Sequence, residues 1–318
     1  MKKKNQIQSA QSLTLMVTTI CQNLTANTQT AYQREIRAFL NWLQIENRPA
    51  DYLAVKTYKT FLVNLPRGEA AINQALAAIR FFVRECARAE IITTDRAEKI
   101  AAIDSIKTGG KKLGNWLTKT ELEKLLQAPK DTGRNSLLAF RDRATLALLG
   151  GAGLRRNEAR LLTIEQIQQR ENRWVIVDLV GKGNVSRSIP IAAWIKQIVD
   201  EWLAAAEISG GVILRQCSWT ASASTRNTRS KLFVSGFPVT AETIRNAVMR
   251  YSVAVLGKNI SPHDLRRSFA RLARLNGCPI EQIQLSLGHA SIKTTQIYLG
   301  DNLNLQESAS DFLHLEVT

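Results

Sequence analysis

The chain is poor in cysteine and aromatic residues, and each scarcity excludes a type of protein. Its four cysteines are far apart and form no Cys-x-x-Cys pair; they are Cys21, Cys86, Cys217 and Cys278. This spacing predicts neither a zinc site nor a disulfide framework, and it is typical of a reduced, intracellular protein. Aromatic residues make up only 6% of the chain, which argues against base stacking on aromatic side chains as the main mode of binding.

Long apolar runs and acidic clusters are missing as well. The longest apolar stretch, around Ala144 to Leu154, contains several glycines and is too short to span a bilayer. No signal-peptide h-region follows the basic start, so we expect a cytoplasmic protein that has no membrane partner. The acidic residues show no convincing metal-ligand spacing, which favours a site that needs no metal or other cofactor.

Positive charge is what the chain has in excess. It contains 43 lysines and arginines against 27 aspartates and glutamates, which gives a net charge of +16. Such an excess of positive charge is typical of a protein that binds a polyanion. The alternative is a basic surface that only aids solubility. The charge is spread over both halves of the chain, which fits a clamp around nucleic acid better than a basic arm.

Residues 1–105 are predicted to form a helical, DNA-binding domain. Apolar residues at helical spacing indicate one helix that begins near Asn27 and another from about Asp51 to Leu65. A third helix, from Glu69 to about Arg88, carries three arginines at i, i+4 and i+8, namely Arg80, Arg84 and Arg88. This row fits either a solvated helix face or a surface that contacts DNA phosphates.

A glycine-rich and lysine-rich segment separates this domain from the rest. Residues 106–115 are predicted to be a flexible linker, and its lysines are candidate DNA contacts; they are Lys107, Lys111 and Lys112. A second domain is then expected over 116–300, and residues 301–318 form a short apolar tail. The plain interpretation of this tail is that it packs on its own domain.

The second domain is expected to be mostly helical with one hairpin. Helices are predicted after Thr118 or Thr120 and from about Arg141 to Gly150. Strands at 174–177 and 188–191 flank the turn-rich stretch 181–184, which indicates a β-hairpin. Residues 218–230 are rich in Ser, Thr and Arg and are predicted to be an exposed loop.

Five short segments of this domain each supply a polar group suited to phosphoryl transfer. They are Gly153 to Glu158, Gly181 to Arg187, His263 to Phe269, Leu287 to His289 and Thr295 to Tyr298. Cleavage of a phosphodiester needs a nucleophile, cations to stabilise the phosphate, and groups that move protons. Arginines suit the phosphate because a guanidinium is always charged and donates two parallel hydrogen bonds.

One pair of candidates lies on a helix whose start is well marked. Ser261 is a good N-cap and Pro262 fits the first helical position, so His263 and Arg266 are at i and i+3 on one helix face. Each candidate also has a plain structural explanation. Tyr298 alone would be a core residue, Lys182 an exposed turn lysine, and Arg266 a surface arginine.

Taken together and in this order, the five segments resemble the tyrosine recombinase (integrase) family. The family pattern is an Arg after Gly-Leu, a Lys on a β-hairpin, His-x-x-Arg, a His after Leu-Gly, and a Tyr nine residues later; this chain matches it with Arg155, Lys182, His263, Arg266, His289 and Tyr298. The resemblance covers roughly 116–300, and it is weaker in the N-terminal domain. It implies a mainly α fold with a helical core-binding domain and a mixed α/β catalytic domain, which form a C-shaped clamp around DNA.

The resemblance also implies a role for each residue. Arg155 and Arg266 are expected to hold the scissile phosphate, with His289 as a further hydrogen-bond donor. Tyr298 is the expected nucleophile, His263 its proton acceptor and Lys182 the general acid for the 5′-hydroxyl. Glu158 and Asp264 resemble supporting carboxylates that orient the basic groups.

The function implied is site-specific recombination of double-stranded DNA through a 3′-phosphotyrosyl intermediate and a Holliday junction. The partners implied are DNA with specific recombination sites and a homo-tetramer, or a hetero-tetramer with a related recombinase, on two duplexes. Integration, excision and dimer resolution all remain open. The alternatives are a type IB topoisomerase-like nicking and rejoining enzyme, which would act as a monomer, and a non-catalytic DNA-binding protein.

Overall fold

The computed structural model describes residues 14–107, 115–131, 136–181, 186–219 and 232–299. The chain folds as two compact units, Met1–Lys111 and Lys112–Thr318. The predicted linker lies mostly outside the described residues, as do the loop at 220–231 and the tail at 301–318. Within the described residues, no helix is long and apolar enough to cross a membrane.

The first unit is helical. Its helices are α1 (residues 14–20), α2 (Ala26–Ile45), α3 (Tyr52–Val63), α4 (Glu69–Arg88) and α5 (Thr94–Ala101). The predicted bounds of α3 and α4 are close to these, because local signals set both starts: the Asp51 side chain accepts a hydrogen bond from the Ala54 amide at 2.8 Å, and α4 follows a Pro-Arg-Gly turn.

The core of this unit is apolar and partly aromatic. Phe39 and Tyr58 are buried with their ring centroids 5.0 Å apart. One acidic residue, Glu35, lies 2% exposed beside this core and forms an ion pair at 3.0 Å with Arg67. A buried carboxylate is tolerated because this guanidinium compensates its charge.

The second unit surrounds one buried helix. Its helices are α6 (Lys119–Asp131), α7 (Ser136–Gly150), α8 (Arg156–Leu161), α9 (Ala193–Ala205), α10 (Ala241–Leu256), α11 (Pro262–Leu275), α12 (Ile280–Leu287) and α13 (Ile292–Leu299), with a short 3₁₀ turn at Ile164–Gln166. Residues 141–150 of α7 are all buried, and α6, α9, α10 and α11 pack around this helix. The end of α7 therefore delivers the Gly153–Leu154 turn to the interior.

The predicted hairpin is present and has an additional strand. β1 (Ile167–Arg170), β2 (Arg173–Val180) and β3 (Ser186–Ile191) form an antiparallel sheet in that order, with Trp174 opposite Ile191 and Ile176 opposite Ile189. The β1 residues, Ile-Gln-Gln-Arg, lack apolar alternation, so no local pattern predicts a strand there. They pair along the edge of β2.

The expectation of a mostly helical remainder missed a second hairpin. β4 (Arg215–Trp219) and β5 (Leu232–Pro238) pair antiparallel, so the first two residues of the predicted loop, Ser218 and Trp219, belong to a strand. Cys217 and Val234 face each other across this pair and pack against the core. The polar β4 segment is extended because it pairs with β5 and packs on the core, whereas Leu232, Phe233 and Val234 of β5 are themselves strand-favouring residues.

Candidate active site

Arg155 is the N-cap of α8 and follows the tight turn at Gly153–Leu154. Gly153 has φ +64°, and a Cβ built on it would lie 2.5 Å from the Phe269 ring, so only glycine fits there. Leu154 is fully buried, and the chain then emerges so that the Arg155 side chain is 32% exposed. The Arg155 Nη2 atom donates to the Gly288 carbonyl at 3.2 Å.

Glu158 is a buried carboxylate at the centre of the site. Its Oε2 accepts the Arg155 amide at 2.8 Å and its Oε1 accepts Arg155 Nη1 at 2.8 Å. Burial alone would raise the pKa of Glu158, but hydrogen bonds from Arg187 and Arg155 outweigh that effect and hold its pKa below the usual value. Glu158 therefore carries a negative charge and contacts the Arg155 guanidinium and amide.

Arg266 is buried deep in the same cluster. It is 2% exposed, and its Nη1 donates to the Gly153 carbonyl at 2.6 Å and lies 3.8 Å from Glu158 Oε2. Its Nη2 donates to the Leu287 carbonyl. The structural alternative of a surface arginine is therefore wrong for Arg266.

The start of α11 follows the sequence prediction closely. Ser261 is the N-cap and Pro262 the first helical residue, which places His263 one turn before Arg266. The His263 side chain is partly exposed and partly buried. Burial and the charges of Arg267 and Arg266 lower the pKa of His263. The hydrogen bonds of Asp264 go to its capping partner: its Oδ2 accepts the Ser261 amide at 3.0 Å and the Ser261 hydroxyl at 2.6 Å. These bonds fix the helix start, and through it the direction of His263.

His289 lies just after α12, which ends at Gly288 with φ +60°. Its Nδ1 atom lies 2.9 Å from the Thr295 hydroxyl. Burial and the charges of Arg266, Arg155, Arg187 and His263 lower the pKa of His289 to about 4. The ring is therefore neutral at pH 7 and close to the arginine cluster.

Tyr298 belongs to α13, the helix that carries Thr295, and the described residues do not include its side chain. Lys182 lies outside the described residues. The strands β2 and β3, which come before and after it in the chain, pair antiparallel, and Val180 pairs with Ser186.

Arg155, His263 and Arg266 line one open cleft. Its volume is about 510 Å³, and the further lining residues are Leu154, Arg156, Asn157, Arg245, Ser261 and Pro262. The cleft is polar and cationic, and the parts of the chain described by the structure contain no group of three or more His, Cys, Asp or Glu residues that would hold a metal. Such a cleft is suited to bind an anion the size of a phosphodiester.

Arg187 and Thr295 belong to the site but were not predicted as site residues. Arg187 lies on β3 and donates to both oxygens of Glu158, at 3.0 and 2.8 Å. A signal was available in the strand alternation, because Arg187 shares a face with the buried Ile189 and Ile191. An arginine on a buried face requires a buried partner.

The arginine row of the first unit divides into three environments. Arg80 Nη2 donates to the Ile103 carbonyl at 2.7 Å and to the Ser105 hydroxyl at 3.1 Å. Arg88 is 76% exposed and pairs with Glu85. Arg84 and Lys107 are exposed, while Lys111 and Lys112 lie outside the described residues. The three arginines therefore do not form one exposed surface, because Arg80 forms hydrogen bonds with the segment that follows α5.

Comparison with known proteins identifies the family of the chain. Residues 115–304 match the model of the phage integrase family, and residues 19–90 match the model of the phage integrase N-terminal SAM-like domain. The tyrosine recombinase XerD of Halalkalibacterium halodurans is 30% identical over 283 residues, which cover 86% of this chain and 87% of that protein. XerD of Pseudomonas aeruginosa is 29% identical over 285 residues, covering 86% and 87%.

Solved structures share the fold at lower identity. The XerH site-specific recombinase in a post-cleavage complex with palindromic difH substrate has a TM-score of 0.65 at 21% identity, covering 90% of this chain and 80% of that one. A lambda integrase dimer bound to a COC′ core site has a TM-score of 0.62 at 18% identity, covering 89% and 94%.

The fold and the site thus define an enzyme of the DNA strand-transferase class. The chain belongs to the phage integrase family, that is, to the tyrosine recombinases. The predicted family, the mainly α fold with a helical N-terminal domain and a catalytic domain, and the activity in site-specific DNA recombination are confirmed. The N-terminal domain is of the SAM-like type. The topoisomerase-like enzyme and the non-catalytic DNA-binding protein are the disfavoured alternatives.

Proposed function

We propose that this recombinase cleaves DNA with Tyr298 as the nucleophile and with the Arg155–Arg266 cleft as the phosphate site. The Tyr298 oxygen attacks the scissile phosphorus, the bond to the 5′-oxygen breaks, and a 3′-phosphotyrosyl ester forms. The 5′-hydroxyl of a partner strand then attacks that ester and releases the tyrosine. The ester conserves the bond energy, so the exchange needs no ATP.

The observation that carries the proposal is the convergence of Arg155, His263 and Arg266 on one cleft. Two guanidinium groups stabilise the added negative charge of a pentavalent phosphate. Because the pKa of His263 is lowered, its ring is neutral at pH 7 and can accept the phenol proton, as a general base must.

The remaining polar groups complete the chemistry. His289, held close to the arginines, donates to a phosphate oxygen through the ring nitrogen that Thr295 does not contact. Lys182, on the β2–β3 hairpin, protonates the leaving 5′-oxygen. Glu158 and Asp264 act indirectly, through the arginines and the start of α11.

We further propose the domain organisation and the assembly. Residues 1–105 form the core-binding domain, 106–115 the linker, 116–300 the catalytic domain, and 301–318 a tail that contacts a neighbouring protomer.

Two duplexes with four strands to cut require four subunits, so the enzyme acts as a homo-tetramer, or as a hetero-tetramer with a related recombinase, through a Holliday junction. Its recombination sites lie in cytoplasmic, nucleoid-associated DNA, where Arg84, Arg88 and Lys107 contact phosphates.

The test is to trap the covalent protein–DNA adduct. Nicked suicide duplexes drawn from the DNA that flanks the gene are incubated with the unaltered protein and with Tyr298→Phe. We expect an adduct that migrates as a protein–DNA ester for the unaltered protein alone, and sequencing of the attached strand gives the cut site. DNA binding without an adduct on any duplex contradicts the proposal, and resealing of the original strand without exchange supports the topoisomerase-like alternative.

A further inference from the structure

Three arginines each contact both the Glu158 carboxylate and the C-terminal end of α12. Arg155, Arg187 and Arg266 all contact Glu158, at 2.8, 2.8 and 3.8 Å. On the other side, each donates to one of three successive carbonyls at the end of α12. Arg187 Nε donates to Ser286 at 3.1 Å, Arg266 Nη2 to Leu287, and Arg155 Nη2 to Gly288 at 3.2 Å. The partial negative charge of a helix C-terminus favours such cations.

Arg187 differs from the other two arginines in where it points. Its side chain is 10% exposed, and among the described residues that line the cleft Arg155 and Arg266 appear but Arg187 does not. Its guanidinium instead binds both oxygens of Glu158. Within the described residues, Arg187 thus contacts Glu158 and the Ser286 carbonyl rather than the cleft, although it belongs to the same charge cluster.

Packing makes the position of Arg187 specific. A Cβ built on Gly288 would lie 2.8 Å from Arg187 Cδ and 2.9 Å from its Nε, so the arginine lies directly against the turn that precedes His289. Arg187 also pairs with Leu179 across the hairpin. One side chain thus fixes the spacing between β3, the start of α8 and the end of α12.

We propose that Arg187 is a positioning residue for DNA cleavage. It neutralises Glu158 and holds the α12 terminus, so that Arg155 and Arg266 are set for the scissile phosphate. Without it, the Glu158 carboxylate is balanced by Arg155 and Arg266 alone and draws them away from the phosphate. This inference rests on the proposed function, because the positions of Arg155 and Arg266 affect cleavage only if a scissile phosphate binds between them.

The test separates a defect in the phosphate clamp from a general loss of structure. Single-turnover adduct formation is measured on a duplex that the unaltered protein cleaves, carrying either a phosphate or an uncharged methylphosphonate at the scissile position. Arg187→Gln and Arg187→Lys are compared with Arg173→Gln, which alters an exposed arginine at the far end of the same hairpin.

We expect Arg187→Gln to slow cleavage of the phosphate about 100-fold, because small misplacements of catalytic groups have effects of that size. DNA affinity should be unchanged. On the methylphosphonate the deficit should shrink to within about threefold, since one charge that the clamp stabilises is gone. Arg187→Lys keeps the charge but not the fork geometry, so its loss should be intermediate. Equal deficits on both substrates, or no deficit on the phosphate, overturn the inference.

A second readout does not depend on activity. The Arg155 amide donates to Glu158 at 2.8 Å, so its hydrogen exchange in the DNA-free protein reports whether Glu158 is held. We expect exchange about 10-fold faster in both Arg187 variants than in Arg173→Gln, and unchanged exchange overturns the inference. If the unaltered protein forms no adduct on any duplex, the proposed function fails, while the exchange result still shows whether Arg187 holds Glu158 in place.

Discussion

The Nδ1 atom of His289 lies 2.9 Å from the hydroxyl of Thr295, and Thr295 is fully buried. Thr295 is on α13, one turn before Tyr298. This hydrogen bond therefore links the proposed phosphate donor to the helix that carries the proposed nucleophile. It also holds the His289 ring in one orientation.

Replacement of Thr295 by Val tests this link. Valine keeps the shape but leaves the His289 nitrogen without its partner, so we expect unfolding to become easier by about 1–2 kcal/mol. Adduct formation should slow by about 10-fold because His289 is no longer held. Urea denaturation and single-turnover cleavage measure both effects. Thr295→Ser retains the hydroxyl and should keep most of the cleavage rate; equal cleavage by the Val and Ser variants would contradict the link.

The histidine titrations give a second prediction. The pKa of His289 is lowered to about 4 from an unfolded value of about 6.5, and that of His263 is lowered too. In that window the unfolded chain binds more protons than the folded one, so the free energy of unfolding falls as the pH is lowered from about 6.5 towards 4. NMR titration of the three histidines measures the values directly. A His289 midpoint at or above 6.5 would refute this account, and His289→Asn should flatten the stability profile.

Two glycines offer a matched comparison at the ends of helices. Gly257 and Gly288 have φ +63° and +60°, but a Cβ on Gly257 meets nothing within 4 Å, whereas one on Gly288 meets Arg187. Gly257→Ala should cost about 1 kcal/mol for the left-handed conformation alone. Gly288→Ala should cost more and should also slow cleavage, because it displaces Arg187. Thermal denaturation and adduct assays distinguish the two, and identical behaviour would mean that the contact with Arg187 is unimportant.

The arginines of α4 should separate stability from DNA binding. Arg80 bonds to Ile103 and Ser105, so Arg80→Ala is expected to lower the free energy of unfolding by about 1–2 kcal/mol. Arg84 is exposed, and Arg84→Ala should leave stability unchanged while it reduces the salt dependence of DNA binding by about one phosphate contact. Denaturation and binding at several salt concentrations test both. A normal salt slope for Arg84→Ala would remove that residue from the DNA-binding surface.

Much of the fold could be predicted because its signals are local. The start of α11 depends on Ser261 and Pro262, and the end of α12 on Gly288, and each works through the backbone of its own few residues. The strands β1 and β4 could not be predicted in this way. They are short and carry mostly polar residues, and they are extended because a neighbouring strand pairs with them. The β5 segment does carry a local strand signal in Leu232, Phe233 and Val234, and this signal was missed.

The sequence by itself determined the family and the set of residues that carry charge, since motif identity and order need no coordinates. Only the tertiary structure decided how these residues combine. Glu158 is joined to Arg187 across 29 positions and Arg266 to Gly153 across 113. Contacts of that separation arise when β3, α8, α11 and α12 pack together, because burial brings their charges into one low-dielectric cluster where each must be paired.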